Sequence, residues 1–471
     1  MTASLYRISI LSVFFIFSCA KETPLAEQSF LLEVSQEGEG TVSYFSGPHL
    51  YGSSVDVSAT PAAGFYFDRW EGSITSEDNP LNIQIIAATR LRAVFLPIPD
   101  LSPEVVLYTP KKMDDNNVLL IENGGRKAYV VDKTGTKLQS FSFSLNLGND
   151  FELLPNGGYM GIFKPEGSLP FSFGGYGGVL QQYDVGGNLV WEYALHTEDE
   201  LLHHDFEVLP NGNVLVLVWE RIRTEEAKAA GVSLDVDVYP EKIIEIDPTT
   251  NTVVWQWRSW EHLVQDQYPE AANYGSIASN YTKIDVNYVN KDNGDIMHAN
   301  ALAFDAQRDL IYMSVNFYSE VWVIDHNTTT ATAQGEAGDL LYRFGNPNAY
   351  ANEGERLFDN NHHPNFVNYT AGPGNMLVYS NGTSTQQSVV YELALPNSFL
   401  TSNGFVLPEV VWSYSHPDLY FNLISGAVRL PNGNTLICEG DYGYWEVTQE
   451  KEVVWKYDGG GQRFWRGYLA Q

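Results

Sequence analysis

The chain has 471 residues, with 27 Lys plus Arg against 58 Asp plus Glu and a formal net charge of −31. That balance excludes a nucleic-acid backbone and an anionic bilayer surface as partners, and it obliges any anionic small molecule to find a local positive pocket. Aromatics at 13% with 40 Gly and 22 Pro favour strands and turns over helices, so a length that allows roughly two to four domains reads as one large all-β architecture with a smaller neighbour.

Residues 1–19 carry Arg7, the apolar run Ile8 to Phe17, then Ser18-Cys19. A charged start, a short apolar stretch and a small residue before a cleavage point make a signal peptide, and the run is too short to span a bilayer. Ser18-Cys19 resembles a bacterial lipobox, which implies a lipidated Cys19 as mature N-terminus. The following Lys21-Glu22 resembles the charged tag of surface-exported lipoproteins, so the expected location is the outer membrane, lipid-anchored at the cell surface. Cys438 then has no partner, no disulfide framework is possible, and the thiol reads as buried and inert.

Residues 29–97 alternate apolar and polar positions between glycine turns, as in Phe30-Leu-Leu-Glu-Val34, Ser54-Val-Asp-Val-Ser58 and Leu91-Arg-Ala-Val-Phe95. Period-2 alternation marks strands with one buried face. The Gly-x-Gly-x-Val opening, the Ala-x-Pro-x-x-Gly-x-x-Phe middle and Trp70-Glu-Gly72 resemble a divergent InlB B-repeat, a small β-rich module expected to act as a spacer. Pro97 to Pro103 is a stiff linker.

From residue 104 to 471 two phrases repeat. Leu-Pro-Asn-Gly begins at 154, 209 and 430, each time ahead of an apolar strand, and a related turn at Gly374 lacks the Pro. Apolar-Val-Trp-x-aromatic recurs at 189–193, 253–257, 410–414 and 453–457. Asn-Gly supplies the positive φ of a tight hairpin, and four-stranded blades around an axis explain both phrases. The spacing predicts a six-bladed β-propeller. The one convincing helical run is Arg223 to Ala230, stopped by Gly231.

Histidines stand at the openings of three strands: His203-His204-Asp205, Asp295-Ile-Met-His298-Ala-Asn300, and Asn361-His362-His363. First strands of propeller blades run along the central channel, so imidazoles from three blades converge. No His-x-His or Cys-rich spacing supports a metal.

Long phrases carry a more specific signal. His203 to Asn213, Trp255 to Asp266, Asp295 to Asp325, Arg343 to Pro347 and Ser425 to Gly440 resemble the arylsulfotransferase family over about residues 140 to 460. The resemblance implies sulfuryl transfer from an aryl sulfate donor to a phenolic acceptor, ping-pong through a sulfated histidine, with no PAPS or other cofactor. It assigns the nucleophile to His362, with His363 as the adjacent competitor, and carries over His204, His298 and Asn300 as catalytic. His203, His363 and Asn316 fall to substrate binding. Where members have a basic residue in Ser-x-Arg, this chain has Ser314-Val-Asn316.

The residues fit that chemistry. A neutral imidazole is nucleophilic near neutral pH, and protonated His204 or His298 with the Asn300 amide would meet developing charge. His262 beside Trp260 reads as packing. The alternative is a non-catalytic surface propeller that binds a sulfated or phenolic glycan; a third reading, adhesion, rests on the N-terminal module alone.

Overall fold

The computed structural model describes residues 27–44, 46–367, 374–401 and 404–470. The signal segment, Cys19 and Lys21-Glu22 lie outside the described residues. The chain divides into two compact units, one ending at Pro99 and one beginning at Asp100.

The first unit is a β module. Strand Ser29–Glu37 pairs antiparallel with Gly47–Leu50 and parallel with Thr89–Pro97, which in turn pairs antiparallel with Phe65–Gly72. The alternation read from the sequence is the burial pattern of Thr89–Pro97, where Leu91 and Ala93 face inward and Arg90 and Arg92 outward. Leu32, Val57, Trp70, Ile83 and Phe95 form its core.

The second unit holds six sheets of four or five strands among the described residues. Sheet 1 runs Lys137–Ser142, Lys127–Val131, Asn117–Glu122, Phe464–Ala470. Sheet 2 runs Leu147–Leu153, Tyr159–Phe163, Val179–Tyr183, Leu189–Ala194, and sheet 3 runs Glu200–Val208, Val214–Glu220, Glu241–Asp247, Thr252–Arg258. Sheet 4 runs Ala299–Asp305, Leu310–Val315, Glu320–Asp325, Tyr342–Phe344, and sheet 5 runs Asn361–Val367, Asn375–Ser380, Val389–Ala394, Glu409–Tyr414. Sheet 6 runs Gly426–Arg429, Thr435–Glu439, Gly443–Val447, Val453–Asp458 and ends on Val105–Tyr108.

Each repeated phrase has a fixed place in this plan. Leu-Pro-Asn-Gly forms the hairpin between the first and second strands of sheets 2, 3 and 6, with Gly157, Gly212 and Gly433 at φ of 82°, 86° and 92°. The Val-Trp phrase is the fourth strand of sheets 2, 3, 5 and 6. In Leu189–Ala194 exposed and half-buried residues alternate, whereas the second strands of sheets 3 and 4 are almost wholly buried. First strands are the inner ones: Glu200–Val208 lies against Leu147–Leu153 and Ala299–Asp305, and Asn361–Val367 against Ala299–Asp305 and Gly426–Arg429. Strand Phe464–Ala470 touches both Gly426–Arg429 and Leu147–Leu153. Apolar clusters fill the spaces between neighbouring sheets.

The expected helix is Thr224–Ala229, and a second, four-residue helix occupies Thr330–Ala333. Cys438 is a buried free thiol. His262 stacks on Trp257 at 5.5 Å and 5° and bonds the Ala333 carbonyl through Nε2, so it is packing.

Candidate active site

The inner strands that carry the histidines are not regular, and only two of the three have them at the opening: His203 and His204 are the fourth and fifth residues of Glu200–Val208, while His298 immediately precedes Ala299–Asp305 and His362 is the second residue of Asn361–Val367. Pairing with the second strand slips between His203 and Phe206, between Ala299 and Ala301, and between His362 and Asn365. Each slip is a bulge that re-aims the side chains beside it. At or next to each one a histidine takes the left-handed conformation: His204 at φ 54°, His298 at 55°, His363 at 51°. Such backbone costs about 1–3 kcal/mol per residue outside glycine, and glycines make room for two of the rings. A Cβ built on Gly175 would overlap His204 Nε2, and one on Gly426 would overlap His363 Nδ1.

The rings converge. His204 and His298 meet edge to face with centroids 4.9 Å apart. Trp465 lies 6.0 Å from His204 and 6.3 Å from His362, bridging the two. His363 turns instead toward Tyr468, at 5.6 Å.

His362 has a determined tautomer. Its Nδ1 is 2.6 Å from Asn381 Oδ1, while Asn381 Nδ2 donates to the carbonyls of Phe421 and Ile424, both at 2.9 Å. Two carbonyl acceptors fix the amide orientation, so Oδ1 faces the ring and Nδ1 must carry the proton. Nε2 keeps the lone pair. Burial pushes the His362 imidazole down to about 3; the bond to Asn381 opposes this, and the charges of Arg466 and His298 add to it. The ring is therefore neutral across the physiological range.

His298 is the opposite case. Its Nδ1 is 2.5 Å from Asp295 Oδ2 and its ring stacks on Phe317 at 4.8 Å and 15°. Burial works against its charge, but the Asp295 carboxylate outweighs burial and lifts the imidazole above its ordinary value. His204 lacks such a carboxylate. Its Nδ1 is 2.8 Å from His203 Nδ1, and burial followed by the charge of His298 drives it well below the ordinary range. His203 lies flat on Trp219 at 3.9 Å and 8°, with Nε2 2.9 Å from Glu241 Oε2. Burial lowers His203 and raises Glu241, which disfavours charge on both. The sequence allowed either His204 or His298 to be the acid; of the two, only His298 is raised, by the Asp295 carboxylate.

The asparagines support the backbone. Asn300 Nδ2 donates to the Asn361 carbonyl at 2.8 Å, Ser314 Oγ to the same oxygen at 3.1 Å, and Asn316 Nδ2 at 3.3 Å. Both Asn300 and Asn316 thus hold the residue before His362 in place. His363 is uncharged through burial and the nearby Arg466, and its Nδ1 has no hydrogen-bond partner. Three groups at this site escape sequence reading: Asn381, Trp465 and Arg466. Asn381 sits one residue past an ordinary apolar strand, and Trp465 and Arg466 reach the site only because the last strand joins the first sheet.

Comparison with known proteins settles the family. The model described as Arylsulfotransferase (ASST) matches residues 102–392, more than half of the chain. The chain belongs to the arylsulfotransferase family. A second model, the divergent InlB B-repeat domain, matches residues 30–99. The arylsulfotransferase match contains every histidine of the cluster and Asn381, while Trp465 and Arg466 lie beyond it. No curated protein matches the chain.

Solved structures similar to the arylsulfotransferase chain are remote. The dihydro-heme d1 dehydrogenase NirN is 11% identical over 79% of this chain and 58% of its own, so the chain spans under two thirds of its length; the TM-score is 0.31. The Dos1 propeller is 9% identical over 70% and 66%, TM-score 0.34. BamB from Moraxella catarrhalis is 9% identical over 86% and 98%, TM-score 0.30.

Proposed function

We propose that this arylsulfotransferase works by a ping-pong route through a sulfohistidine at His362. The observation that carries the reading is a buried imidazole whose Nδ1 proton is committed to Asn381, leaving Nε2 as a free nucleophile without a separate base. In the first half-reaction Nε2 forms a bond to the donor's sulfur as the bond from sulfur to the aryl oxygen breaks. The electron pair leaves on that oxygen, which takes the Nε2 proton of His298. In the second, the acceptor phenol gives its proton back to His298 while its oxygen bonds sulfur and the N–S bond breaks. Protons balance over the cycle.

His298 is suited to the acid role by Asp295, which orients the ring and holds its charge. His204, neutral, offers its Nε2 proton to a sulfuryl oxygen. One such donor contributes about 3 kcal/mol where it meets developing charge. Asn300 and Asn316 act one step back, through the Asn361 carbonyl. We place the six sheets as blades of a closed propeller, an arrangement supported by the succession of contacts between inner strands, and we take the chain to be a lipoprotein anchored through Cys19 at the outer membrane.

The test is release of 4-nitrophenol from 4-nitrophenyl sulfate that depends on added phenol. His362→Ala should abolish it while leaving donor binding saturable. Binding without any phenol-dependent release in the unaltered protein would favour a glycan-binding surface protein instead.

A further inference from the structure

Arg466 lies on the last strand, beyond the family match. Its side chain is 2% exposed. Nη1 donates to Asp205 Oδ1 at 3.0 Å and to the Tyr468 hydroxyl at 3.3 Å, and Nη2 donates to the Asn300 carbonyl at 2.9 Å. Its plane lies over Trp465 at 4.6 Å. Asp205 follows His204 in one bulge and accepts the Leu302 N–H on its second oxygen at 2.7 Å. Asn300 stands two residues after His298 in the next bulge and passes its amide to the carbonyl beside His362. One guanidinium therefore spans two bulges, and the third is a single hydrogen bond further on.

Both terminal nitrogens are thus committed within the protein, and only the buried Nε has no hydrogen-bond partner. We propose that Arg466 is a positioning residue of this site: its planar fork locks the bulge of His204 to the bulge of His298. The proposal rests on the sulfohistidine reading above. The groups that bear on His362 are Asn381 from the loop after its partner strand, His298 and His204 from the two preceding bulges, its neighbour His363, and Arg466 with Asp205 and Asp150 from the inner strands around it. Arg466 is a source of positive charge there that pH does not remove, since burial works against its ionisation but Asp205, Tyr468 and Asp150 more than restore it. His204, His362 and His363 are all pushed toward neutrality by it. A lysine would keep the charge but cannot span the two acceptors with a rigid fork.

The test compares Arg466→Lys, Arg466→Gln and the double variant Asp205→Asn/Arg466→Met in the full chain. Folding is read from thermal unfolding, turnover from kcat/KM against pH, and the His362 ring from its imidazole nitrogen resonances, which need no turnover. Arg466→Lys should titrate His362 as the unaltered protein does, with kcat lowered about tenfold or more by lost alignment. Arg466→Gln should protonate His362 about one pH unit higher, a tenfold gain in cation at fixed pH, with an acid limb entering the kcat/KM profile. If Arg466→Gln does not fold, the double variant, which removes both charges and the fork together, must show the same loss of kcat. Arg466→Lys or a folded double variant with full kcat overturns the proposal. Absence of a sulfuryl adduct in the unaltered protein would sink the sulfohistidine reading but leave the ring comparison standing.

Discussion

Only a nitrogen without a proton can attack sulfur, and at His362 a neighbouring amide decides which nitrogen that is. Asn381 is held by two carbonyls, so it can only accept from the ring. Asn381→Leu should let the proton move between nitrogens and lower kcat on the order of 10²-fold, with protein stability measured in parallel to separate the effects. Asn381→Asp should instead raise the His362 pKa through the added carboxylate, and the acid limb of kcat/KM should move up in pH. The acid role proposed for His298 gives a second prediction. Its folded-state value is raised, so the first half-reaction should be fully active below that value and fall as pH rises through it. Asp295→Asn removes the charge that raises it, and the fall should move to lower pH. The loss should be large for phenyl sulfate, whose leaving oxygen needs the proton, and small for 4-nitrophenyl sulfate, whose phenolate is stable without it. Equal losses for both donors would remove His298 from the acid role.

At the scale of elements, the candidate site is made by bulges in and beside inner strands, and glycines from other loops make room for two of the rings. Gly175 combines φ of 83° with a Cβ position occupied by His204 Nε2. Gly175→Ala should cost about 1–3 kcal/mol of stability and displace His204, measurable as a lower Tm with a raised KM for the donor. The hairpins and outer strands were legible because they are local: Asn-Gly demands a turn wherever it stands, and Val-Trp alternation marks a strand with one face covered. Convergence of the imidazoles was legible because each histidine belongs to an inner strand or its entry, although His203 and His204 stand in the middle of Glu200–Val208 rather than at its opening. Their protonation was not. His204 and His298 look alike in sequence, and what separates them is Asp295 bonded to one ring and His203 to the other.

At the largest scale, the second unit joins its own first and last strands. Phe464–Ala470 pairs with Asn117–Glu122, and Val105–Tyr108 pairs with Val453–Asp458. Sheets 1 and 6 each therefore need both ends of the second unit, and Trp465 and Arg466 enter the site by that route. No local pattern could show this, because the pairing spans more than 300 residues. Truncation before Phe464 should leave the inner side of sheet 1 uncovered, and circular dichroism with proteolysis should report loss of cooperative unfolding. Among the described residues the first unit has its own core and its own paired strands, so removing residues 29–97 should leave turnover unchanged. The central claim is a covalent one. Mass spectrometry of protein soaked with 4-nitrophenyl sulfate in the absence of acceptor should find one sulfuryl group on the peptide containing His362, removed by adding phenol. A protein that turns over donor and acceptor while this peptide stays unmodified, or that carries the group elsewhere, would contradict the account.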